Sequence, residues 1–144
     1  MTEKIQAAIA PREVIQRLQE AINAHDLDAM VACFASDVVS QQPAHPARNF
    51  RGNEQIRQNW TMILGGVPDL RAELLRSAQG GDTVWSEWRW SGTRVDGAAH
   101  EMRGVTVNQV KDDRIASVTF YMEPVEAGGA DVETAIKAGV GARR

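Results

Sequence analysis

A carboxylate and a guanidinium on one face of a strand are the first chemistry the chain offers. From Thr83 to Ser91 the alternation puts Trp85, Glu87, Arg89 and Ser91 on one side and Val84, Ser86, Trp88 and Trp90 on the other. Glu87 and Arg89 can pair, and a desolvated Glu with a raised pKa can serve as a general acid. With this face toward a pocket, Glu87 is a candidate catalytic group, Arg89 lines the site and Trp85 is a flat wall for a ring. The competing reading is an ion pair on the surface or at an interface, over packed tryptophans. His45, flanked by Pro43 and Pro46, is the second catalytic candidate, because imidazole titrates near neutrality and can shuttle protons. An exposed loop histidine is its alternative. Arg103 and Tyr121, on neighbouring predicted strands, would bring a guanidinium and a phenol to the same ligand, suited to an enolate or a carbonyl. His25 reads as a turn residue and His100 as exposed.

Other chemistries lack their residues. Three histidines and one cysteine show no metal-ligand spacing, so no metal is expected. No glycine-rich phosphate loop occurs, and no cofactor is expected. Cys33, beside Met30 and Phe34, reads as a small buried hydrophobe; as the only cysteine it fits a reducing cytoplasm. The first residues lack a signal-peptide pattern, and no apolar run reaches the roughly 18 residues of a membrane span. A net charge of -3 over 144 residues argues against a nucleic-acid partner. The 43% hydrophobic content is enough for one globular core.

The elements that would position these groups follow from periodicity. Val14, Leu18, Ala21 and Ile22 mark one face of a helix opened by Pro11. Asp26 is a candidate N-cap for a second helix, with Leu27, Met30, Val31 and Phe34 on one stripe, ending near Ser36-Asp37. Val38 to Gln42 is short and β-prone, and the prolines of 43–49 mark a loop. A third helix opens at Gly52-Asn53, carries Ile56, Trp60, Ile63 and Leu64 inward, and stops at Gly65-Gly66. The second half changes to period two. Strands are predicted around Leu70 to Leu74, Thr83 to Ser91, His100 to Val110 and Ile115 to Met122, with turns at Gly80-Gly81, Asp96-Gly97 and Asp112-Asp113. Three helices before these strands give an α+β domain with a curved antiparallel sheet. Residues 1–10 are expected to be a flexible N-terminus and 11–124 the domain. Residues 125–144 form a Gly-rich tail with a short helix capped by Asp131, through Lys137.

In their order, several strings resemble nuclear-transport-factor-2-like (NTF2-like) domains, and most closely the SnoaL-like polyketide cyclase branch. They are Ala21 to Met30, His45-Pro46 with Phe50 to Ile56, Arg103 to Val107, and Arg114 to Pro124. The resemblance implies a cone-shaped roll: the helices pack inside the bent sheet, which encloses a pocket for a small hydrophobic, cyclic molecule. It also implies a homodimer through the outer sheet face, for which Trp88 and Trp90 would form an apolar patch. Members include isomerases, epoxide hydrolases, cyclases and non-catalytic scaffolds. The isomerase base falls on Gln42, which cannot accept a proton from carbon. The isomerase tyrosine falls on Leu18, and its acidic partner near Gly104 or Val105. The last-strand aspartate of the hydrolases falls on Phe120, and their Arg-x-Asp pair near Trp85 and Glu87. Gln42, Trp60 and Phe120 are thus expected to line the pocket without titrating. The function implied is a cofactor-independent cyclase, isomerase or hydrolase, with a ligand-binding or dimerisation module as the alternative.

Overall fold

The computed structural model describes residues 9–141. Most of the segment expected to be a flexible N-terminus, residues 1–8, lies outside it, as do 142–144. In chain order the elements are α1 (Pro11–Asn23), α2 (Leu27–Ala32), β1 (Phe34–Gln41), β2 (Phe50–Arg51), α3 (Asn53–Gly66), β3 (Arg71–Gly80), β4 (Thr83–Thr93), β5 (Ala99–Lys111), β6 (Arg114–Pro124) and α4 (Val132–Val140). The strands form one sheet in the order β2-β1-β6-β5-β4-β3. Every neighbouring pair is antiparallel except β1 and β6, which run parallel and join the two halves of the chain.

The second helix is shorter than its apolar stripe predicts. It ends at Ala32, and Phe34 opens β1 opposite Ile115. The Ile115 N–H donates to the Cys33 carbonyl at 2.8 Å, so a sheet bond takes over where the helix stops. The turns fall where glycine and aspartate signals put them. Gly97 has φ 87°, while Asp112 and Asp113 have φ 51° and 60°, the two left-handed residues of a tight hairpin.

Register shifts in β1, β3 and β6 bend the sheet. Gly104 adds a kink in β5: its φ is 152°, and a Cβ there would lie 2.3 Å from the Tyr121 carbonyl oxygen. The concave face wraps α1 and α3, and the core of Val14, Ile15, Ile22, Met30, Leu70, Val84 and Trp88 lies between them.

Side chains of α1 and the turn after it close the free edge of β3. The Asn23 carboxamide donates to the Ala72 carbonyl at 2.9 Å and accepts from the Ala72 N–H at 2.7 Å. Gln19 Oε1 accepts from the Leu74 N–H at 2.6 Å, and the His25 ring meets the Leu70 carbonyl at 2.7 Å. Backbone groups that an edge strand would leave open are thereby satisfied. His25 is indeed a turn residue, with φ 53°. In the tail, Asp131 caps α4 by accepting from the Thr134 N–H, and the helix runs three residues past Lys137 to Val140. Among the described residues no helix is long and apolar enough to cross a membrane.

Candidate functional site

Between α3 and the concave face lies a cavity of about 320 Å³. Its floor is formed by buried residues, among them Phe34, Ser40, Trp88, Thr106 and Asn108. At the rim, Gln42, Phe50, Asn59, Ile63 and Phe120 are partly exposed and Met62 is open to solvent. One side is aromatic: Trp60 and Trp90 lie 5.1 Å apart at 59°, and Trp90 and Phe120 5.8 Å apart at 52°. Tilted pairs at these distances contribute about 0.5–1.5 kcal/mol each beyond their area.

The alternation along β4 therefore points the opposite way to the catalytic reading. Val84, Ser86, Trp88 and Trp90 face inward, and Trp88 is fully buried with its Nε1–H donating to Thr106 Oγ1 at 3.0 Å. Trp85, Glu87 and Arg89 face outward, as do Arg103 and Tyr121 on the neighbouring strands, and none of the five lines the cavity. Period-two spacing separates the faces of a strand without saying which is inside. Burying two indoles on the concave side, Trp90 against Trp60 and Phe120 and Trp88 bonded to Thr106, decides it. Glu87 pairs with Arg76 across β3–β4 at 2.5 Å and with Arg103 at 3.7 Å, not with Arg89, which meets Glu101 at 3.3 Å. Trp88 and Trp90 form no outer patch; the exposed aromatics of the convex face are Trp85 and Tyr121, 54% and 50% accessible.

His45 lies in the loop after β1, its Nε2 2.7 Å from Glu123 Oε1, and does not line the cavity. His100, expected to be exposed, is half-buried, and its Nε2 has no hydrogen-bond partner among the described residues. Gln42, Trp60 and Phe120 do line the cavity.

Sequence reasoning passed over Ser40, Asn59, Thr106 and Asn108. Thr106 and Asn108 alternate with Val105 and Val107, a pattern that reads as a wet face, yet here the polar residues face the interior. Asn108 is 2% exposed, and its Oδ1 has no hydrogen-bond partner among the described residues. The same holds for Nε1 of Trp90. A buried polar group left unpaired costs about 1–3 kcal/mol. Among the described residues no Asp, Glu, His, Lys, Arg, Tyr or Cys lines this cavity. What lines it can stack, exclude water and hydrogen-bond, and has no group that titrates near neutral pH.

A bent α+β sheet wrapped around helices, with a cavity at its concave face, is the NTF2-like fold. Residues 15–118 match the SnoaL-like domain, and the chain belongs to that family. It is similar in structure to IdmH of Streptomyces antibioticus, described as a candidate polyketide cyclase. The two are 23% identical, with a TM-score of 0.69 over 92% of this chain and 99% of that one. A loop-truncated IdmH variant is 26% identical, with a TM-score of 0.67 over 79% and 93% of the two chains. An LEH-like epoxide hydrolase of M. tuberculosis is 18% identical, with a TM-score of 0.68 over 78% and 82%. No curated protein matches the chain by sequence.

Proposed function

We propose that this SnoaL-like protein binds a small, uncharged, largely apolar ring-bearing molecule in the cavity, held by Trp60, Trp90 and Phe120 and oriented by Gln42. The observation that carries this reading is the lining: aromatic and aliphatic walls, carboxamides and hydroxyls, and no ionisable side chain among the described residues. A charged ligand would lose its hydration there without gaining a counter-charge. A reaction in such a site is directed by shape and hydrogen bonds, since general acid–base catalysis needs a titrating group within reach of the substrate. Ring closure of a folded chain is the reaction class that fits. The likeness to IdmH, at 26% identity for the loop-truncated variant, supports that reaction class. Glu87 and His45 have no acid–base role in it.

The convex face, with Trp85 and Tyr121 set among the Glu87, Arg89 and Arg103 ion pairs, is our proposed homodimer surface, and the compartment we propose is the cytoplasm.

Thermal shift against steroids, aromatic polyketides and terpene epoxides tests the binding reading. A ligand at 100 times its Kd adds about 2.7 kcal/mol to the folded state. A melting shift with one class, retained in Glu87→Gln, is the expected result; no shift with any class would count against a ligand cavity.

A further inference from the structure

We infer that Asn108 is a specificity-determining residue: it selects a ligand that carries a neutral oxygen function, a ketone or hydroxyl, at the end reaching the cavity floor, over the matching hydrocarbon. This rests on the binding reading above and deepens it.

Asn108 sits on β5 opposite Val84 on one side and Val118 on the other, with fully buried Val84 and nearly buried Val110 close by. Its directly paired neighbours on the sheet are thus apolar, while the same-face hydroxyls of Thr106 and Ser86 lie one step further along the strands. Ser40 of β1 is paired with Val118, so a single valine separates the Ser40 hydroxyl from the Asn108 carboxamide along the floor. Both residues line the cavity. Thr106, the other floor hydroxyl, is engaged by the Trp88 indole N–H. Asn108 has no comparable bond: its Oδ1 meets no donor among the described residues although the residue is 2% exposed. Compare Asn23, whose carboxamide is used at both ends to close a strand edge. A carboxamide that served only the fold would be bonded in that way.

Rotation about χ2 lets Asn108 turn either an N–H donor or a carbonyl acceptor to the cavity, and each answers a neutral partner. A ketone accepts from the amide N–H; a hydroxyl can donate to its oxygen. A hydrocarbon leaves the carboxamide unanswered, and a site built to bond a polar group discriminates strongly against the analogue that lacks it. The apolar walls handle the ring, and Asn108 reads its oxygen.

The test uses two probes that share a ring system, α-tetralone and tetralin, titrated into the full chain while following its intrinsic tryptophan fluorescence, to which the cavity-lining Trp60, Trp88 and Trp90 contribute. The wild type is expected to bind the ketone at least tenfold more tightly, about 1.4 kcal/mol. Asn108→Leu is expected to abolish that preference by weakening ketone binding while keeping or improving tetralin binding. Equal binding of the two probes by the wild type, or a preference that survives in Asn108→Leu, would overturn the inference and leave the cavity as a binding site. Binding of neither probe would instead overturn the binding reading, and this inference with it. A ligand-free readout stands beside the titration. Replacing an unbonded polar group by an isosteric apolar one is neutral or stabilising, so the Tm of Asn108→Leu should equal or exceed the wild type's. A Tm several degrees lower would mean that the carboxamide serves the fold, and would also overturn the inference.

Discussion

Cys33 and Asp69 show how strongly single residues depend on their surroundings. Burial pushes the Cys33 thiol above its usual range, opposed in part by the Arg17 guanidinium. Reaction with a thiol reagent at pH 8 is therefore expected to be slow in the native protein and complete in denaturant; equal rates would show an open thiol. Asp69 accepts the Thr93 N–H at 2.6 Å, and that bond holds its carboxyl below the ordinary value. A lowered folded pKa means a contribution present above about pH 4 and lost as pH falls through the folded value. The urea midpoint of Asp69→Asn should lie below the wild type's at pH 7, and the two should converge toward pH 2. A gap unchanged between those pH values would contradict the assignment. At this scale the sequence was partly legible. Asn108 was passed over because a polar residue between valines is the pattern of a solvated face. Glu87 is misplaced because the alternation of β4 has no sign until Trp90 finds Trp60 and Phe120 and Trp88 finds Thr106.

Elements were easier to read, and their errors are physical. The stripe of Leu27, Met30, Val31 and Phe34 extends the second helix too far because Phe34 is buried in either conformation, as a helix residue or as the first residue of β1. The parallel pairing of β1 with β6 has no local signal, since it joins segments some 80 residues apart in sequence. The clamp of α1 on β3 predicts that Asn23→Ala, which strands the Ala72 N–H and carbonyl, costs about 1–3 kcal/mol in urea unfolding. A loss under about 0.3 kcal/mol would mean that other groups close that edge. Helix α4 is exposed along its length, with Val132, Ile136 and Val140 at 76%, 58% and 72%. Ending the chain after Glu126 is expected to leave the Tm within a degree of the wild type. A fall of several degrees would place α4 in the packed structure.

For the whole molecule, the order of helices and hairpins gives an α+β domain with a curved sheet, because each turn signal falls between segments of one period; the cone is what the resemblance to NTF2-like domains implies. The sheet's inside and outside do not follow from that order, and the proposed dimer surface moves accordingly, from Trp88 and Trp90 to Trp85 and Tyr121. Light scattering at micromolar concentration is expected to give twice the chain mass, and Trp85→Lys with Tyr121→Lys should halve it; a monomeric wild type would remove the proposal. The central claim is that the cavity accepts neutral ring compounds and refuses charged ones, since no titrating side chain lines it among the described residues. Calorimetric titration at pH 7 with α-tetralone and with tetralin-1-carboxylate, which carries the same ring system, tests it most directly. Saturable binding of the ketone with none of the carboxylate is the result the lining predicts; carboxylate binding as tight as the ketone's would contradict it.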